Sequence, residues 1–172
     1  IVSCSKPEQT EALSEAEPVV NTDAPIVERN QLGSAFFGDL HIHTRYSFDA
    51  YLMGTRATPD DAYRFGKGEM IEHASGFEMQ MKKPLDFLSV TDHGFYLGAI
   101  REAAEGDGPL SELEMGRVAR NIKTPADSMA AFRAAIQYLQ TMSQNPDEED
   151  VLNDEGAATT AWQDIIAAAE RH

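Results

Sequence analysis

Three of the five histidines in this chain stand in two short segments about fifty residues apart. The segments are Gly38-Asp39-Leu40-His41-Ile42-His43-Thr44 and Ser89-Val90-Thr91-Asp92-His93-Gly94. In a strand, residues i and i+2 point to the same side, so Asp39, His41 and His43 share one face. Two imidazoles spaced this way can chelate one cation, zinc at about 2.0–2.1 Å from nitrogen. Asp39, one step back, could accept a hydrogen bond from an imidazole and fix its tautomer. The second segment closes an apolar run with an Asp, a His and a permissive Gly. Polar groups at the end of a core strand are costly unless they are used, and the carboxyl ends of strands are where α/β barrels place their chemistry. The chemistry that fits is hydrolysis assisted by a divalent metal.

The elements that must position these groups are legible in outline. Residues 35–42 and 85–90 read as two core strands, each apolar and followed by one of the histidine segments. Thr58-Pro59-Asp60-Asp61 is a helix start, with a Thr cap, Pro in the first position and acids in the first turn. That helix runs to about Phe65, where Gly66 and Gly68 end it. Residues 69–83 are ambiguous, with a turn of helix over 78–83. Helices are expected over 96–105, 111–121, 124–142 and from about Thr159. Met129, Phe132, Ile136 and Leu139 form one face of the long helix, and Trp162, Ile165 and Ile166 form a core stripe on the last. Strand, helix, strand with no hairpin between the strands implies parallel pairing in an α/β fold.

A net charge of −15 over 172 residues argues against a nucleic-acid partner, which needs clustered Lys and Arg. The acid gathers in two places, the first thirty residues and 147–155, both expected to be solvated segments. Residues 1–34 read as a flexible acidic tether and 35–172 as the folded domain. The one cysteine, Cys4, excludes an intrachain disulfide. Its setting, Ile1-Val2-Ser3-Cys4-Ser5, resembles a bacterial lipobox. It implies a lipidated Cys4, membrane attachment, and a place in the bacterial cell envelope facing the periplasm or the cell surface. No apolar run approaches the roughly 20 residues of a membrane-spanning helix. Two strands cannot bury both faces of a sheet, and the last helix lacks a terminator. The chain therefore reads as part of a longer protein.

The wording of the segments carries a family resemblance. His41-Ile42-His43-Thr44 with Ser47 and Asp49, then Thr91-Asp92-His93-Gly94, resembles the first two motifs of the PHP (polymerase and histidinol phosphatase) superfamily. Phe37 to Thr44, Asp49-Ala50-Tyr51, Thr58 to Phe65, Pro84 to His93, Ala161-Trp162 and Ala168 to His172 resemble one branch more closely, the bacterial domain of unknown function 3604. The likeness covers roughly residues 36–172. It implies the N-terminal part of a distorted (β/α)7 PHP-type barrel, incomplete in this chain, with up to three divalent ions (Zn, Mn or Fe) at the carboxyl rim. By position, His41 and His43 would hold one ion. Asp49 takes the place of the next ligand, and His93 would share an ion with Asp49. Asp92 moves to a supporting role beside Asp39. The activity implied is hydrolysis of a phosphoester or related small anionic substrate, through a water activated by the metal. The later ligands of the family are not in this chain, so turnover by residues 1–172 alone is not expected.

Arg45 and Arg64 could meet an anionic substrate near the first rim loop, with surface solvation the default reading, and Tyr46, Tyr51 and Tyr96 could line a pocket, with packing the default. His73 matches no ligand position. His172 reads as a helix-end residue suited to the local dipole. Ser47 lacks a partnered base by sequence and is no nucleophile. The rival to a hydrolase is a lipid-anchored envelope binding module that keeps the metal motifs without catalysis. An amidohydrolase-like barrel shares the His-x-His on its first strand, but the Thr-Asp-His-Gly of the second segment favours PHP.

Overall fold

Two helix starts form as their sequences dictate. The structure, a computed structural model, describes residues 33–172, so the tether and Cys4 lie outside the described residues. Helix α2 (Pro59–Gly66) opens on a reciprocal cap: Thr58 Oγ1 accepts the Asp61 N–H at 3.1 Å, and Asp61 Oδ2 accepts the Thr58 N–H at 3.0 Å. Helix α5 (Pro125–Gln144) repeats it with Thr124 and Asp127, at 3.3 and 2.8 Å. Each pairing satisfies two backbone donors that the first turn leaves orphaned.

The order of the remaining elements is mixed α/β. Strand β1 (Gly38–Ile42) is followed by a short helix α1 (Phe48–Leu52), then α2, β2 (Ile71–Glu72), β3 (Glu78–Met79) and β4 (Phe87–Val90). Helix α3 (Ala99–Glu105), a 3-10 turn over Pro109–Glu112, α4 (Glu114–Ala119), α5 and α6 (Glu155–Arg171) complete it. Strands β1 and β4 pair in parallel, with Gly38 opposite Phe87, Asp39 opposite Leu88 and an irregularity before Ile42 meets Val90. Side chains pin both ends of this ladder. Asp86 exchanges bonds with Phe37 at one end, its carboxylate taking the Phe37 N–H at 2.8 Å. At the other, the Thr91 hydroxyl takes the Ile42 N–H at 3.0 Å while the Thr91 N–H donates to the Ile42 carbonyl at 2.7 Å. The second pin brings the ends of the two strands together just where their polar segments begin.

The main core lies among helices. Tyr51, Leu52, Ile100, Ala103, Met115, Ala119, Ala131 and Leu152 are buried in one cluster joining α1, α3, α4 and α5. Each fully buried Leu or Ile contributes about 1.5–3 kcal/mol. A turn precedes α3, with Tyr96 at φ +53° and Gly98 at φ +75°. Both lie in the left-handed region, which is easy for glycine and strained for tyrosine. The helix expected from residue 96 therefore starts at Ala99.

Four sequence expectations are corrected. The strand starting at Ala35 is shorter, and Phe36, Phe37 and Leu40 are 70 %, 65 % and 63 % exposed rather than core. Among the described residues β1 has only β4 as a neighbour, so the aromatic run that reads as buried is left uncovered. Residues 69–83 contain an antiparallel pair, β2 with β3, where a turn of helix was expected, so a hairpin does lie between the two long strands. On α5 the buried positions are Ser128, Ala131 and Ala135, and on α6 they are Ala157, Ala161 and Ala168. Met129, Ile136, Trp162 and Ile166 face outward. Both helices bury small residues outright, while Phe132, Leu139 and Ile165 of the expected faces pack partly buried against the core clusters. Finally, α1 forms between β1 and α2, where no helix was expected.

Candidate metal centre

The polar groups after β1 and β4 converge. Strand β1 ends at Ile42, and His43 leaves it into the turn that starts α1. Asp49 falls in the first turn of that helix. His93 follows β4 across the Thr91 pin. The result is one group in which His43, Asp49 and His93 each offer a ligand atom within 4.8 Å of the others. His43 Nδ1 stands 3.1 Å from Asp49 Oδ2, and His93 Nε2 stands 3.4 Å from the same oxygen. Donors bound at about 2.0–2.1 Å to one tetrahedral cation stand roughly 3.3–3.4 Å apart. Two imidazoles and a carboxylate at these separations are a donor set that fits zinc or a similar divalent ion.

Four residues were expected as ligands from the resemblance, and the structure gathers three of them. The His41 ring lies beside that of His43, centroids 4.9 Å apart, and is exposed. It stays outside the three-residue group. Asp39 does not reach an imidazole; its Oδ1 takes the backbone N–H of His41 at 2.9 Å. Asp92 supports the backbone: its carboxylate accepts both the N–H and the hydroxyl of Thr44, the latter at 2.7 Å.

The two carboxylates differ in their electrostatics. Burial pushes Asp49 up, but hydrogen bonds from Ser47, the Ala50 N–H and His43 outweigh it and hold the group below its ordinary value. Asp92 is shifted upward, chiefly by burial, which the bonds from Thr44 offset only in part, with the nearby Asp49 charge adding to the rise. Asp49 is thus the carboxylate ready to serve as an anionic donor at neutral pH.

Ser47 is the residue that sequence reasoning passed over. It is fully buried and occupies the capping position of α1, yet its side chain makes no cap bond to that helix. Its hydroxyl lies 2.6 Å from Asp49 Oδ1, 3.3 Å from His43 Nδ1 and 3.1 Å from the backbone nitrogen of His93. The signal was present as Ser-x-Asp right after the histidine pair. Asking only whether the serine was a nucleophile missed it. Aromatic rings close one side, with Phe48 5.1 Å from His93 and Phe95 edge-on to Phe48 at 5.8 Å.

The other residues weighed in the sequence have partners of their own. Arg45 pairs with Glu105 on α3, and Arg64 pairs with Glu69 at 3.0 Å and Asp61 at 3.5 Å. Tyr46, Tyr51 and Tyr96 are buried and donate to Asp164, Glu105 and Asp150. His73 stacks on Phe77 in the turn between β2 and β3. His172 is more than a helix end: it bonds Asp60 at 3.0 Å and stacks on Tyr63, docking α6 on α2. Among the described residues no helix is long and apolar enough to cross a membrane.

The family model described as "Protein of unknown function (DUF3604)" matches residues 30–172. No curated protein and no solved structure matches the chain.

Proposed function

The chain belongs to the DUF3604 family, and on that premise we propose that it carries part of the metal centre of a PHP-type hydrolase acting on phosphoesters or related anionic esters. The observation that carries the reading is the convergence of His43, Asp49 and His93 on one point. The parallel β1–β4 pair supports the first two strands of a PHP-type (β/α)7 barrel, with the centre at their carboxyl ends. When bound, divalent ions would supply a water of lowered pKa and charge neutralisation at a phosphoryl oxygen.

The chain's own residues do the rest. His43 and His93 offer nitrogen donors, and Asp49 offers the negative charge. Thr44 and Asp92 clamp the two segments at fixed separation, and Phe48 shields one side from water. His41, adjacent to His43, is the ligand we assign to a further ion. The Ile1-Val2-Ser3-Cys4 segment supports lipidation at Cys4, and with it a place on the bacterial envelope.

Elemental analysis of the full-length protein, with phosphomonoesterase and phosphodiesterase assays, tests this. We expect bound Zn, Mn or Fe, and turnover that chelation abolishes and metal restores. His93→Ala should remove most of both. A protein without bound metal, whose activity survives His43→Ala and His93→Ala, would sink the reading. Bound metal without any turnover would instead identify an envelope binding module.

A further inference from the structure

We propose that Ser47 is the positioning residue of this centre, fixing Asp49 so that one carboxylate oxygen is held by the protein and the other is presented to the cation. The inference rests on the reading above that His43, Asp49 and His93 hold a divalent ion, and it adds how the chain shapes that site. Asp49 Oδ1 accepts two hydrogen bonds, from the Ser47 hydroxyl at 2.6 Å and the Ala50 N–H at 2.7 Å. His43 Nδ1 stands between the two oxygens, 3.2 Å from Oδ1 and 3.1 Å from Oδ2, and His93 Nε2 faces Oδ2 at 3.4 Å. The two oxygens of one carboxylate have been given different tasks.

A serine hydroxyl has one proton to give and two lone pairs. The proton goes to Asp49. A lone pair takes the His93 backbone N–H at 3.1 Å, which belongs to the other segment, 46 residues on. The same oxygen stands 3.3 Å from His43 Nδ1. One buried hydroxyl therefore touches all three residues of the group. Capping of α1 does not explain this, because the hydroxyl accepts no backbone N–H of that helix. With Oδ1 engaged by Ser47 and the Ala50 N–H, Oδ2 is the oxygen left to be presented to the ion. A carboxylate bound through one oxygen leaves positions at the ion for water and substrate, as a hydrolytic centre requires and a closed structural site does not.

The test uses metal-free full-length protein and cobalt(II) or zinc(II) in competition with a chromophoric chelator. Removing partners that orient ligands typically weakens metal binding by about 10–100-fold. Ser47→Ala should fall in that range and change the visible spectrum of bound cobalt, while its metal-free circular dichroism stays that of the wild type. Ser47→Thr, which keeps the hydroxyl, should recover most of the affinity. A folded Ser47→Ala protein with wild-type affinity and spectrum overturns the proposal. Should that variant not fold, difference infrared spectroscopy of the wild type decides. Carboxylate stretches characteristic of one-oxygen binding support the assignment, and two-oxygen binding at Asp49 overturns it. Wild-type protein that takes up no cation at all would overturn the metal reading instead, before any variant is measured.

Discussion

Thr44 and Asp92 close on each other through two hydrogen bonds, the Thr44 N–H to Oδ1 at 2.5 Å and its hydroxyl to Oδ2 at 2.7 Å. Thr44 is fully buried, so water cannot replace the carboxylate there. Asp92→Ala should cost about 1–3 kcal/mol, the usual penalty for stranding buried donors. Thr44→Val alone should cost less, and the double variant should show clear coupling. Urea midpoints at unchanged slope would measure it. Additive losses would mean that the two residues act separately.

Four tyrosine phenols are shifted upward. Burial comes first in each case, followed by a hydrogen bond to a carboxylate: Asp164 for Tyr46, Glu105 for Tyr51, and Asp150 for both Tyr96 and Tyr138. Tyr46 and Tyr138 reach about 12 from an ordinary 10.0. The folded state therefore favours the neutral phenol. That stabilisation is whole below pH 10 and drains away as pH rises toward about 12, because the unfolded chain ionises first. Near-ultraviolet titration should show late tyrosine ionisation accompanied by loss of helical circular dichroism. Phenols that all ionise near pH 10 in a chain still folded would contradict these bonds.

Asp60 joins α2 to the end of α6 through His172 and Arg171. The His172 hydrogen bond is the largest influence on it; burial opposes it, and with the Arg171 contacts added the carboxyl is held below its ordinary 3.8. The stabilisation is present above pH 3.8 and lost as pH falls through the lower folded value. Asp60→Asn should be less stable than wild type at neutral pH, and the gap should narrow in acid. Stability curves that stay parallel down to pH 2 would refute the contact.

Helices α3 and α4 meet at Gly116. A Cβ there would press against the Ala103 carbonyl oxygen and stand 2.9 Å from the Ala103 Cβ. Gly116→Ala should therefore lower stability by about 1–3 kcal/mol through overpacking. Gly108, with nothing within 4 Å of its added Cβ, is the control: Gly108→Ala should melt close to the wild type. Equal melting temperatures for the two variants would show that the helices can part at no cost.

What could be read from the sequence was local chemistry. Thr58 and Thr124 announce their helices because a cap, a proline and an acid sit within four residues, and both form. The parallel pairing was read from the strand–helix–strand order, and β1 with β4 obeys it although the β2–β3 hairpin lies between them. What could not be read was which apolar groups end up covered. Trp162 and Ala161 are neighbours in sequence, yet Ala161 is fully buried and Trp162 is 57 % exposed, because close helix approach selects the small residue. At the centre, the residue types and the two segments were legible, while the place of Ser47 was not. Its contacts with His93 depend on a pairing that no local pattern encodes.

The two halves of the centre are separated along the chain by the rest of α1, by α2 and by the β2–β3 pair, with Thr44 meeting Asp92 across 48 residues and Ser47 meeting His93 across 46. Contacts of that span must await the closing of a long loop, whose entropy is lost before any bond repays it. The donor group therefore needs both segments, and during synthesis cannot form before residue 93 has been made. The registered pairing of β1 with β4 is thus the step on which the whole donor group depends.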